Sequence, residues 1–458
     1  MRRLGALLLT VSGITPAASV FVIGSAVIVQ AGTGALVAFF AAAIICVPVA
    51  FAYAELSSAF PITGAEYTFL GRVLGPSWGF MALGLNVIGG ALSQAVTALG
   101  LAAYLGVVIP GIPGLPAALA AVGLSTAVAV LNIRTNAVVT GLFLAAELLA
   151  LAAVTSLGLF HEHRSIASAV IHPAAVSAAG LLHPTSMTAI GLGTAGAIYA
   201  YNGFGGAVSF GEELKEARRS ISGVILAALA IAVFWEAIPM IAVVVGAPDL
   251  KVVLAAPSPI SAFVAAGGAW FSKAVSLGVA FAIVNAMIAL ALTNARYLYA
   301  TARDQAWPTL LNNALGATHR RFRSPHIATL VMGVLSAIAC LLRLRLLVVL
   351  TATSIVFVYI GVMAAALVGR RTGSTLQGAY RAPWQPWASV LGLIALGGVV
   401  AADLADPEVG RLGLAANVVV SLAFAGYYWL FVRPRGVWRL TGADGPLTSE
   451  PGERAALG

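Results

Sequence analysis

Twelve apolar runs, most of them near the 20 residues or so that carry a helix across a bilayer, alternate along the chain with short polar or Gly/Pro-marked joints. They cover 7–30, 34–58, 79–109, 115–132, 136–160, 188–210, 221–246, 273–300, 326–343, 346–368, 386–404 and 412–431, and each predicts a membrane-spanning helix. Two runs are interrupted. At the centre of the sixth stands YAYNGFGG, Tyr199 to Gly206, where each glycine costs a helix interior about 1 kcal/mol relative to alanine. A break at membrane depth is tolerated only where protein or a water-filled cavity receives the freed backbone groups, which marks a ligand site. The first run carries SGITP, Ser12 to Pro16. Pro16 removes a donor and clashes with the preceding turn, Gly13 loosens the backbone, and Ser12, Thr15 and Ser19 can answer the exposed groups. Alone this reads as a kink; paired with the sixth run it reads as the second break of a site.

Spans six to ten repeat the lengths of one to five after a longer connection at 161–187. Two interrupted helices at corresponding positions in two five-span halves point to an inverted-repeat transporter with its site at the midplane. The N-terminus of a half-helix offers N–H groups and a positive dipole end to an anionic group such as a carboxylate. The predicted organisation is a core over 1–368 (repeats 7–160 and 188–368), two peripheral spans over 369–431, and a short Pro/Gly-marked tail over 432–458 expected to be disordered.

Composition fixes the solvent. Hydrophobic residues make up 60% of the 458, charged residues 9%, and the mean hydropathy is +0.98, which is an integral membrane protein rather than a soluble domain. A net charge of +9 would suggest nucleic acid for a soluble chain. Here the charge follows topology: with the N-terminus cytoplasmic, 19 of the 25 Lys and Arg fall on the inner segments, leaving Arg164, Lys251, Lys273, Arg343, Arg345 and Arg411 outside. Both ends are therefore expected in the cytoplasm, with no nucleic-acid partner. The Met-Arg-Arg start imitates a signal peptide, but the apolar run continues to Val29 without a cleavage site and reads as an uncleaved span. Cys46 and Cys340 fall inside spans as small core residues, and the six histidines form no metal-ligand cluster. The Ala/Arg bias with three lysines points to a high-GC bacterial genome, and hence to the inner cell membrane.

Glu147 has the most mechanistic leverage. It stands about 11 residues, or roughly 16 Å of helix rise, into span five, near mid-membrane. An ionised carboxylate there costs a few kcal/mol unless paired or hydrated, and proton coupling follows naturally. Glu236 in span seven is a second deep acid. Asp403, near the end of span eleven, is expected to be solvated. Asn86, Ser93, Gln94 and Asn285 are either pocket residues or interhelical glue.

Three motifs, in order, carry a family resemblance: AELSSAFPITGAEY (54–67), GEELKEARR (211–219), and RYLYATARD (296–304) closed by Pro308. Together they resemble the amino acid/polyamine/organocation superfamily over about residues 1–431, with Thr63, Ala65, Glu216, Ala217 and Gln305 departing from its pattern. The resemblance implies an all-α leucine-transporter-type fold, a 5+5 inverted repeat plus two peripheral helices, with substrate held by unwound parts of spans one and six. Carried over by position, the backbone of Ile14, Thr15, Pro16, Ala17, Ala18 and Ser19 meets the substrate carboxylate and amine, although the G-x-G of many relatives is missing. Tyr199 lies over the substrate, and Asn202, Gly203 and Phe204 line the pocket. Tyr199, Tyr201 and Phe204 would otherwise read as bundle filling. Glu55, Arg296 and Asp304 belong to gating segments, and Glu66 beside them suits gating or packing rather than substrate contact. The stretch 251–271 resembles an outer gating loop. Several proton-coupled relatives carry a lysine where this chain has Glu147, which could titrate, hold sodium or a substrate amine, or pair internally as a structural acid.

The sequence thus reads as a secondary amino acid transporter working by alternating access, with proton symport leading and amino acid or amine exchange as the alternative. It is expected to use no cofactor beyond a coupling ion and to be a monomer or weak homodimer. A membrane enzyme would need paired loop aspartates or H-E-x-x-H, and neither is present.

Overall fold

The computed structural model describes residues 3–131, 137–177, 179–214, 216–322, 324–442 and 445–446, without the side chains of 132–141, 210, 212–213, 441–442 and 445–446. Of the basic residues counted above, Arg2, Arg134, Lys215, Arg323 and Arg454 lie outside the described residues, as does the tail from 447.

Each predicted run has its helix. Span one runs Arg3–Ile14, resumes at Pro16–Ala18, and passes through one π-turn, Ser19–Gly24, to Ser25–Ala31. Spans two to five are Ala35–Ala59, Pro76–Val108, Gly114–Val130 and Ala137–Leu159. Span six is Met187–Tyr201 followed by a 3-10 segment, Phe204–Glu213. Spans seven to twelve are Ala217–Gly246, Ala269–Arg303, His326–Ala339, Leu344–Thr372, Trp387–Ala405 and Gly410–Tyr427. Because the helices are apolar on all sides, burial rather than amphipathicity distinguishes their faces. Ile44, Phe234, Ile394 and Leu430 point outward, as lipid-solvated surfaces allow.

Small residues bring the helices together. Spans five and seven meet backbone to backbone: a Cβ on Gly246 would lie 2.3 Å from Gly158 Cα, and one on Gly158 would lie 2.1 Å from the Ala242 carbonyl oxygen. Between spans two and three the chain makes a short joint helix, Ala65–Val73. The 161–187 connection, expected only as a link, folds into a helix, Ile166–Ile171, and an antiparallel hairpin pairing Ala174–Val176 with Leu182–Pro184. Ser186 then starts span six, its hydroxyl accepting from the Ala189 N–H at 3.1 Å.

Two expectations need correction. The tail is not disordered where it leaves span twelve. Arg435 donates to the Trp307 carbonyl, Trp438 Nε1 donates to the Tyr67 hydroxyl, the Arg439 N–H donates to the Asp304 carbonyl at 3.2 Å, and Leu440 is buried. Aromatic and aliphatic side chains outweigh the Pro/Gly content that suggested a loose end. Asp403 is not solvated either. It is fully buried between spans, accepting from Thr353 Oγ1 at 3.3 Å, because span eleven turns that face inward.

Glu55, at the end of span two, is 1% exposed and receives both Nε and an Nη of Arg370 at 2.7 Å. The Ala382 N–H donates to it at 2.9 Å, so this bidentate pair fastens the connection between spans ten and eleven to span two. Arg370→Ala should leave the acid buried without a counter-charge and cost about 3–5 kcal/mol, seen as loss of monodisperse protein at lower temperature in heated size-exclusion runs. A Glu55→Gln/Arg370→Met double variant should recover much of that loss.

Candidate functional site

The two breaks are built from different backbone devices and touch each other. In span one Thr15 takes φ +53°, a left-handed conformation disfavoured for a β-branched residue. Its hydroxyl compensates by donating to the Ser12 carbonyl at 2.8 Å. In span six Asn202 is extended and Gly203 takes φ +121°. A Cβ on Gly203 would stand 3.0 Å from Ile14 Cγ1 and 3.2 Å from Ile14 Cα, so one break is seated on the other. The Ser19 hydroxyl donates to the Ala200 carbonyl at 2.9 Å and completes the join.

Beyond the break, span one restarts with free N–H groups, as any helix does. The Ala17 N–H donates to Glu147 Oε1 at 2.7 Å. Glu147 is fully buried and its Oε2 has no protein partner. Glu236 is also fully buried, with neither carboxylate oxygen partnered and Glu147 within electrostatic reach. Neither acid lines a cavity described below.

A central cavity of about 770 Å³ runs from the breaks toward the face at which the described chain starts and ends. Ser12, Gly13, Asn202, Gly203 and Asn285 line its inner end, and the Asn285 amide donates to the Ser12 hydroxyl at 2.8 Å. Ala65, Glu66, Arg296 and Tyr297 line the other end, with Asn86, Ser93, Asn294 and Tyr359 between. A second, more apolar cavity of about 380 Å³ lies on the opposite side of the breaks, among Phe21, Tyr104, Leu192, Val348 and Asp403.

Of the residues expected at the substrate, Asn202 and Gly203 reach the central cavity. Ile14, Thr15, Pro16, Ala17, Ala18 and Ser19 are buried behind it. Tyr199 is buried, its hydroxyl 2.9 Å from that of Ser93, which lines the cavity. Tyr201 packs edge-on against Phe39, and Phe204 against Tyr53. Gln94 is buried, donating to the Ser125 hydroxyl at 3.3 Å and accepting from Ser336 at 3.4 Å, which is interhelical glue. Among the gating candidates Arg296 lines the cavity, while Glu55 and Asp304 are buried outside it.

Glu66 lies in the joint between spans two and three, as expected, and its carboxylate also reaches the cavity. The joint helix folds back beneath the bundle and puts its carboxylate on the cavity wall, where Oε1 accepts from the Tyr53 hydroxyl at 2.7 Å and Oε2 from the Asn86 amide at 3.4 Å. Burial pushes this carboxyl above the usual carboxylate range, against the lowering effect of the Tyr53 hydrogen bond. The signal available in the sequence was an acid beside a span end; the fold-back itself is a long-range event.

Paired breaks, a central cavity and a sealed acid pair are the anatomy of a carrier, and the comparisons agree. A family model described as amino acid permease matches residues 3–424. The chain belongs to the amino acid permease family. This permease is similar to an uncharacterized transporter of Mycobacterium tuberculosis, 29% identical over 348 residues that span 75% of each chain. It is also similar to the branched-chain amino acid permease of Bacillus subtilis (24% identical, 84% of each chain) and to the methylthioribose transporter of the same species (26%, covering 85% and 86%). The crystal structure of MhsT in complex with L-phenylalanine superposes with a TM-score of 0.60 at 12% identity, over 88% of this chain and 98% of that one. The permease therefore has the leucine-transporter-like fold. It is a multi-pass membrane transporter of amino acids or related solutes, not an enzyme.

The seating of Gly203 on Ile14 has a direct consequence. Gly203→Ala should cost about 1–3 kcal/mol from its positive φ and crowded Cβ, lowering the thermal stability of the purified permease. Gly223→Ala, in span seven with open space around its Cβ, serves as the control and should leave stability unchanged or slightly higher. Equal melting of the two variants would mean that the breaks are not held against each other.

Proposed function

We propose that the permease is a proton-coupled amino acid symporter that works by alternating access, with the face carrying both chain ends turned to the cytoplasm. The observation that carries this reading is the 2.7 Å bond from the Ala17 N–H to Glu147. An ionised Glu147 places a full negative charge at the positive end of the restarted helix and holds the hinge of span one to span five. A protonated Glu147 loses that charge–dipole attraction and loosens the hinge. Two buried acids within electrostatic reach repel each other when both are ionised, so ionisation of either one opposes ionisation of the other. Proton gain and loss at this pair thereby bias the helix whose break borders the solute cavity, which is the differential interaction that coupling requires.

The solute would bind at the breaks against Ser12, Gly13, Asn202 and Asn285, beside Tyr199 and Ser93, and leave along the cavity past Glu66 and Arg296. A branched-chain amino acid permease among the relatives supports an amino acid as solute. The basic residues support the orientation: among the described residues Arg164, Lys251, Lys273, Arg343, Arg345 and Arg411 lie on the face opposite the chain ends, and the other described Lys and Arg lie on the chain-end side.

The test is uptake of labelled amino acids into proteoliposomes under an inward proton gradient, a sodium gradient, or an internal amino acid load. Proton-driven accumulation should be present in the wild type and fall about 5- to 150-fold in Glu147→Gln, the range of a 1–3 kcal/mol coupling free energy. Exchange into preloaded vesicles should survive the substitution. Uptake confined to preloaded vesicles in the wild type, whatever the pH difference, would overturn symport in favour of exchange.

A further inference from the structure

Among the described residues lining the central cavity there is a single carboxylate, Glu66, and it stands away from the helix breaks. Its hydrogen-bond partners come from two elements besides its own, and one of them reaches a third. Tyr53 of span two donates to Oε1 at 2.7 Å, and Asn86 of span three donates to Oε2 at 3.4 Å and to the Tyr297 hydroxyl of span eight at 3.2 Å. All of these are neutral, and no cation among the described residues lies within ion-pair distance of it.

The contrast with Glu55, eleven residues earlier, is informative. That acid serves the fold, and the chain gives it a bidentate arginine and a backbone N–H. Glu66 is equally well positioned by hydrogen bonds, yet among the described residues no cation pairs with it, and it lines the cavity. A carboxylate on a cavity wall attracts a cationic group that enters the cavity, and Arg296, which lines the same end, has an interaction of its own.

We infer that Glu66 is the subsite for a cationic group on the transported solute, receiving a protonated amine at the end of the cavity nearest the chain termini. This rests on the cavity being the solute route. Span eight lines the cavity from Asn285 to Tyr297, about 18 Å of helix rise, so Glu66 is a station separate from the breaks. It is also connected to them. Tyr53 packs against Tyr359 with ring centroids 5.8 Å apart, and the Tyr359 hydroxyl donates to Asn202 Oδ1 at 2.8 Å. The solute class implied is one bearing an ammonium group, which separates this permease from carriers of uncharged sugars.

The experiment uses the purified full chain and thermal-shift titration with the twenty amino acids, then with the best binder's decarboxylated amine and its deaminated acid; for leucine these are isopentylamine and 4-methylpentanoate. Glu66→Gln should weaken the amino acid and the amine at least about tenfold and leave the acid unchanged, while Glu66→Asp retains most amine affinity. Unchanged acid binding doubles as the folding control. Equal losses for amine and acid, wild-type amine affinity in Glu66→Gln, or no binding of any amine to the wild type would each overturn the assignment. Absence of amino acid uptake in vesicles would sink the transport reading, and an amine-selective loss in the titration would still uphold Glu66 as an ammonium site.

Discussion

Backbone groups freed in the middle of a bilayer have no water to turn to, and the architecture is a response to that constraint. Two helices are interrupted where they meet, and each break is answered by groups from another span. Gly203 rests on Ile14, Ser19 bonds the Ala200 carbonyl, and the first N–H groups of the restarted span one meet a side-chain carboxylate from span five. The last of these is the most consequential. A helix start that would otherwise stay open to a ligand anion is occupied in part by an acid of the protein itself.

The two kinds of polar machinery are kept apart. The central cavity is lined mainly by amides, hydroxyls and small residues, with Glu66 and Arg296 at the end away from the breaks. Glu147 and Glu236 lie behind the breaks and touch neither cavity. Span one borders both: Ser12 and Gly13 line the cavity, and the Ala17 N–H holds Glu147.

The spans and both breaks were legible in the sequence because each is a local property: apolar length for the spans, Gly and Pro content for YAYNGFGG and SGITP. The depth of Glu147 followed from counting along one helix. What was not legible depends on folding over distance. Glu66 lies in a joint whose helix turns back under the bundle, and no periodicity reports that turn. Asp403 sits near a span end, yet its helix face turns inward. The tail from Arg433 has loop-like composition, but Trp438 and Leu440 find apolar neighbours contributed from residues more than 360 positions earlier. Tyr201 and Phe204 stand beside the break in sequence and point into packing in space, a choice of side-chain direction that a one-dimensional pattern does not contain.

Spans five and seven meet at Gly158 and Gly246 with no room for a methyl group between them. Such a seam brings two helices to backbone contact, and these are the helices that carry Glu147 and Glu236. The two carboxyls therefore stand on a pair of helices pinned together at one point, like the arms of a caliper at its rivet.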